Sequence, residues 1–210
     1  MTSEPRPPNL VALAGPNGSG KSTFFEIHLA KWNTPFVNRD VIAMRIAPWN
    51  PAGAALRAAR VAEAQRWRFL EVGQSFVTEG IRPDPKLLME ATARGFFTRV
   101  VFICVESPEL NVSRVIYRIS RQGHSVPLEA VVARYDRALK SLPEAARVAG
   151  QLLLVDNSVR FRPPRLIARF DRGKVASLRA SVPLWALRVF KEEFERFRSE
   201  RRQTDQQGEP

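Results

Sequence analysis

The chain has 210 residues, 44% of them hydrophobic and 26% charged, with a formal net charge of +12 and one cysteine: enough for one substantial core and too few sulfurs for an internal disulfide. Two histidines without a cysteine cluster argue against a zinc site, and no apolar run approaches the ~20 residues that span a bilayer. No basic and then hydrophobic pattern opens the chain, so the expected location is the cytoplasm, with no membrane partner.

The polar, proline-rich opening MTSEPRPP predicts a disordered tail over residues 1–8, ahead of a single domain over 9–198 and a second disordered tail over 199–210. Leu10-Val11-Ala12-Leu13 suits a buried parallel strand, and AGPNGSGKST follows it, with Gly15, Gly20, Lys21 and Ser22 in the places of the pattern Gly, four residues, Gly-Lys-Ser/Thr. Glycines let the backbone turn its N–H groups inward as a nest for anions, while Lys21 reaches the outer phosphates and the Ser22 hydroxyl offers one Mg²⁺ position. A helix beginning at Ser22 adds its positive end. The expected ligand is a nucleoside triphosphate, ATP with Mg²⁺, held by Gly15, Pro16, Asn17, Gly18, Ser19, Gly20, Lys21, Ser22 and Thr23.

Residues 34–40 read as a second strand ending in polar residues, followed by a helical stretch over 41–46 that Pro48 and Pro51 stop. A long amphipathic helix over 53–71 ends at Gly73, and Ser75 to Gly80 is a third strand with a carboxylate, Glu79, at its carboxyl end. A helix over 83–93, a strongly buried strand over 99–105 that contains Cys104, helices over 108–119 and 127–140 and a strand over 152–155 complete the alternation. After Pro163 the segments LIARF and VASLR around Asp171-Arg172-Gly173-Lys174 predict a hairpin at the sheet edge. In the last helix, around 183–198, Trp185, Val189, Phe190, Phe194 and Phe197 recur near helical spacing, a stripe for core packing or docking.

Strands alternating with helices predict an α/β fold: a P-loop NTPase/kinase-like three-layer arrangement with a mostly parallel central sheet, a helical lid over about 114–126, and the C-terminal hairpin and helix. Ligands in such sheets sit beyond the strands' carboxyl ends, which puts the glycine loop, Asp40, Glu79 and Asp156 along one rim. Phosphoryl transfer needs charge neutralisation and a carboxylate to orient or deprotonate the acceptor hydroxyl. Asp40 is the candidate base, although an Asp at a helix start also serves as an N-cap. Glu79 can hold an acceptor hydroxyl or act on Mg²⁺ through water, and Asn38, Arg39 and Arg82 complete the candidate acceptor-binding set. Asp156, ending LLLVD, competes for the metal role, against a strand-end turn near the adenine side. Arg114, Arg118 and Arg121 share a helix face before the loop RQGHS, and Arg118 and Arg121 are the candidates a closing lid delivers to the γ-phosphate, ahead of Arg134 and Arg137.

The combination AGPNGSGKST, FVNRDVIA, FVTEG, VFICVESPEL, RVIYRISRQGHSVPLEAVVARYDRAL and LLLVDNS, over residues 9–160, resembles the zeta-toxin family of small P-loop kinases. The resemblance implies ATP as donor, UDP-N-acetylglucosamine as acceptor at its 3′-hydroxyl, and an antitoxin protein as partner. On that pattern Asp40 is the base, Lys21 the phosphate lysine, Glu79 an acceptor contact and Arg118 the arginine on the transferring phosphate. Glu79-Gly80-Ile81 stands where close relatives have Glu-Thr-Thr, and His124 stands near where larger members have a second arginine. The acceptor, a nucleotide sugar or another small hydroxyl-bearing molecule, is thus less determined than the donor. Residues 112–179 carry 14 basic and 5 acidic side chains, which keeps a polynucleotide or nucleoside kinase open as an alternative. A regulatory ATP-binding protein is a further alternative.

Overall fold

In a computed structural model, which describes residues 6–122 and 128–207, seven strands form one sheet in the order β2-β3-β1-β4-β5-β6-β7. The strands β1 (Asn9–Ala14), β2 (Phe36–Asn38), β3 (Phe76–Gly80), β4 (Phe97–Cys104) and β5 (Gln151–Asp156) pair in parallel. The hairpin β6 (Arg165–Asp171) and β7 (Lys174–Leu178) continues the sheet antiparallel to β5, as its turn sequence led one to expect. Alternation divides the core between the two faces. Leu10, Ala12 and Ala14 of β1 join Val100, Phe102 and Cys104 of β4 on one face, and Val11 and Leu13 join Val101 and Ile103 on the other.

The second face is packed by the first helix, α1 (Lys21–Phe24), which continues through a wide turn over Phe25–Leu29 and a tight one over Ala30–Trp32. Phe24, Phe25 and Leu29 supply its apolar side, and Phe25 stacks on Phe36 with ring centres 3.7 Å apart. The first face takes side chains from α2 (Arg39–Ile46), α3 (Ala55–Glu71), α4 (Pro85–Ala93), α6 (Leu128–Lys140), a short α7 (Leu142–Val148) and α8 (Leu184–Gln207). Between β4 and α6 lies α5 (Pro108–Gln122). The alternation and the helices are those of the P-loop NTPase/kinase-like fold expected from the motif. Cys104 is fully buried, and burial pushes its thiol up to about 12, so it packs as a small apolar group.

Four boundaries differ from expectation. The second strand is only three residues long: its last residue, Asn38, pairs with Glu79 in the ladder and also caps α2, which starts at Arg39. The helix α7 was not anticipated: its seven residues are too few to show a period, yet Leu142, Ala145 and Ala146 are buried. The helix α5 runs to Gln122, taking in the first residues of the expected loop, while residues 123–127 of the lid, His124 included, lie outside the described residues. The last helix passes Arg198 and continues to Gln207, so residues 199–207 are helical rather than a tail, with Ser199 and Thr204 hydroxyls donating back to the Glu195 and Glu200 carbonyls. The aromatic stripe of α8 is core: Trp185, Phe190 and Phe194 are buried, and Phe170 of β6 lies 4.6 Å from Phe190, ring centre to ring centre. Among the described residues no helix is long and apolar enough to cross a membrane.

Candidate functional site

The glycine loop joins β1 to α1 at the carboxyl edge of the sheet, and its conformation explains its composition. Gly15, Gly18 and Gly20 adopt φ of 143°, 79° and 97°, a region that residues with a Cβ rarely occupy. At Gly15 a Cβ would also run into the Ile103 carbonyl, and at Gly20 into the Asn157 side-chain amide. Gly20 stands at the N-cap of α1 with no side chain on the first N–H groups of the helix. Pro16 and Ser19 are buried, while Ser22 and Thr23 of the first helical turn are exposed. Asn17 Oδ1 and Ser19 Oγ are buried without a hydrogen-bond partner among the described residues. A left-handed turn with open N–H groups and unspent buried polar atoms fits a polyphosphate.

Lys21 is the charged centre of the site. Its side chain is 9% exposed; Nζ donates to the Pro16 carbonyl at 3.2 Å and faces Glu79 Oε1 at 3.8 Å. Burial pulls the Lys21 ammonium below its ordinary value, while the negative charges of Glu79 and then Asp40 oppose that shift and the Arg118 charge adds to it. Burial likewise pushes Glu79 above the usual carboxylate range, against the attraction of Lys21 and hydrogen bonds from the Asn38 and Ser22 side chains. The register of β3 beside β1 brings this about: Glu79 pairs with Leu13, one residue before the strand runs into the loop. Five side chains from five elements, Lys21, Asn38, Asp40, Glu79 and Arg118, thus act on one another at one rim.

Asn38, not Asp40, caps α2, so the alternative reading of Asp40 as the N-cap falls away. Asn38 Oδ1 accepts from the N–H groups of Asp40 and Val41 at 2.8 and 3.2 Å, and its Nδ2 donates to Glu79 Oε2 at 2.9 Å. Both ends of this amide are therefore occupied by the protein, which orients Glu79 and leaves the Asp40 carboxylate exposed and uninvolved in the cap. Arg39 and Arg82, expected to bind the acceptor, are exposed, and no described hydrogen bond or ion pair joins either to the Lys21–Glu79 pair.

Asp156 differs from Glu79 in its surroundings. It is 3% exposed, and it accepts from Arg165 at 3.0 Å, from the Trp185 indole N–H at 3.3 Å and from the Ser158 hydroxyl. Both oxygens are engaged by β6, α8 and its own turn, so Glu79 is the carboxylate beside the loop lysine and Asp156 is a structural junction. Of the arginines sharing a face of α5, Arg114 is half-buried and donates to the Ser158 carbonyl at 3.2 Å, and Arg118 is exposed. The side chain of Arg121 lies outside the described residues. Among those residues no three acidic, histidine or cysteine side chains gather into a metal cluster.

No protein-family model matches the chain. It is 30% identical over 132 residues to an uncharacterized protein of Haemophilus influenzae, a match covering 60% of this chain and 91% of that protein. The chain belongs to one family with that protein. Among solved structures, a chain from the PezAT chromosomal toxin-antitoxin system of the human pathogen Streptococcus pneumoniae superposes with a TM-score of 0.57 at 12% identity, over 74% of this chain and 70% of that one. A chain of the AvrRxo1-ORF1:-ORF2 complex with ATP superposes with a TM-score of 0.64 at 15% identity, over 81% of this chain, which spans 60% of its length. These likenesses show the fold, a P-loop kinase-like α/β sheet.

Proposed function

We propose that the protein is an ATP-dependent kinase of zeta-toxin type that transfers the γ-phosphate to a hydroxyl of a small molecule, with the nucleotide sugar UDP-N-acetylglucosamine as the named candidate acceptor. One observation carries this reading: the buried Lys21 ammonium of the glycine loop stands within electrostatic reach of two carboxylates, Glu79 and Asp40, and of the Arg118 guanidinium. A loop that only stores a nucleotide has no use for an exposed carboxylate beside its phosphate lysine; a phosphotransferase needs one for its acceptor.

In this reading the loop amides and Lys21 hold the triphosphate, and the Ser22 hydroxyl would hold Mg²⁺, which would supply neutralisation of the phosphate charge. Asp40 takes the proton of the acceptor hydroxyl as its oxygen attacks the γ-phosphorus, the bond from that phosphorus to the β–γ bridging oxygen breaks and ADP leaves. Glu79, oriented by Asn38, accepts a hydrogen bond from the acceptor or from a water on the metal, and Arg118 meets the charge of the transferring group. Arg39 and Arg82 remain proposed acceptor contacts at the rim, and Arg121 a second lid arginine. The solved neighbours support the reading: one comes from a toxin-antitoxin system and another holds ATP, and an antitoxin-like protein is the proposed partner.

The basic excess of residues 112–179 favours one alternative acceptor, an oligonucleotide end. Incubation of the purified chain with ATP and Mg²⁺ against nucleotide sugars, nucleosides and oligonucleotides, scored by mass spectrometry, separates the two. Phosphate on a sugar hydroxyl supports the first reading, phosphate on an oligonucleotide end replaces it with the second, and ATP binding without any transfer overturns both.

A further inference from the structure

The tip of β5 reaches across the carboxyl edge to the glycine loop. Asn157 Nδ2 donates to the Ser19 carbonyl at 2.8 Å, although the two residues lie 138 apart in the chain. A carbonyl can only accept, so the nitrogen end of the amide is the end that faces the loop. The Asn157 backbone N–H in turn donates to the Cys104 carbonyl at 2.8 Å, which ties the residue to the end of β4. The contact with the loop is close: a Cβ on Gly20 would collide with Asn157 Nδ2.

The peptide between Ser19 and Gly20 is planar, so a donor that holds its carbonyl on one side turns its N–H to the other. Gly20 is the residue before Lys21, and its N–H belongs to the loop's anion nest. Asn157 is itself held from behind. Its neighbour Asp156 accepts from Trp185 of α8 and from Arg165 of β6, and Arg114 of α5 donates to the Ser158 carbonyl. The C-terminal hairpin and helix thereby reach the phosphate loop through two consecutive residues.

We infer that Asn157 is a positioning residue for the nucleotide phosphates. It sets the Ser19–Gly20 peptide so that the loop's N–H groups are arranged before the nucleotide arrives, and Asp156, braced by Trp185 and Arg165, keeps it there. This rests on the proposal that the loop binds ATP, and it extends that site to a residue and a C-terminal segment that the phosphate motif does not contain.

The test is ATP binding by isothermal titration calorimetry with Mg²⁺, on the full chain and on Asn157→Ala, Asn157→Asp and Trp185→Phe, each with its melting temperature. Asn157→Ala removes one hydrogen bond and is expected to weaken ATP about tenfold. Asn157→Asp keeps the shape of the side chain but cannot donate and brings negative charge toward the phosphates, so it is expected to bind ATP more weakly still. A side chain that merely filled space would give the opposite order, with Asp nearly neutral. Trp185→Phe, which removes one donor to Asp156, is expected to weaken ATP by two- to threefold, less than either change at Asn157. A full chain that binds ATP, with Asn157→Asp within about twofold of it, overturns the inference and leaves the functional reading standing. A full chain that binds no ATP overturns both.

Discussion

Lys21 Nζ and Glu79 Oε1 face each other at 3.8 Å, and burial disfavours the charge on both. Removing charges from water costs several kcal/mol per ion, and one contact at this distance offsets only part of it. The pair is therefore held in tension by the fold, which sets Glu79 beside the loop through β3 and fixes it with Asn38. In the proposed reading, a bound polyphosphate adds negative charge beside Lys21 to that of Glu79 and Asp40.

A pH dependence follows. Glu79 ionises above its ordinary value of 4.5, so its carboxylate is lost as pH falls through that raised value. If the carboxylate form serves the acceptor, the acid limb of the rate profile lies above pH 4.5, and Glu79→Gln lowers the rate and flattens that limb. Lys21 deprotonates below its ordinary 10.5, so ATP affinity of the free protein declines as pH rises through a value under 10.5. Rate and affinity measured from pH 4 to pH 10 check both limbs.

Asp40 is exposed, is free of the cap and acts on Lys21. Asp40→Ala is expected to reduce phosphate transfer by at least about 100-fold and to leave ATP affinity within a few-fold, because a base acts in the transition state. Lys21→Ala should do the reverse first, weakening ATP itself. Transfer assays run beside calorimetry distinguish the two, and transfer that survives in Asp40→Ala assigns the base elsewhere.

Gly15→Ala combines a φ of 143° with a clash against the Ile103 carbonyl. The clashing atom is backbone of the central strand β4 and cannot swing aside. A loss of about 3 kcal/mol or more is expected, read as a lower midpoint in urea, and ATP binding should fall with it.

Trp185 fills the space beside Phe102, ring centres 6.0 Å apart, and donates to buried Asp156. Trp185→Ala is expected to destabilise by about 3–5 kcal/mol through the cavity it leaves, and Trp185→Phe by about 1–3 kcal/mol, through the lost indole donor to Asp156 Oδ1, which keeps the Ser158 hydroxyl, and the smaller ring. Urea unfolding of both variants measures the difference.

Much of the fold was legible because its signals are local. The apolar runs of β1 and β4, the glycine pattern between β1 and α1 and the turn at Gly173 each lie within a few residues and match the structure. The short β2 and α7 were harder, since three and seven residues carry no measurable period. The end of α8 was misjudged because polarity alone marked residues 199–207 as a tail, whereas Glu, Arg and Gln are good helix formers when they continue a helix already anchored by Trp185, Phe190 and Phe194.

The amino-acid order alone determined the glycine loop between β1 and α1, with Lys21 and Ser22 following it, because a strand–loop–helix motif is built from neighbours in the chain, and it led one to expect Asp40 and Glu79 along one rim. Only the tertiary structure decided that Asn38 is the cap, that Glu79 and not Asp156 meets Lys21, and that Asn157 touches the loop. The Asn38–Glu79 and Asn157–Ser19 contacts join residues 41 and 138 positions apart. What selects them is the order and register of the strands, a property of the whole sheet that no local pattern of residues contains.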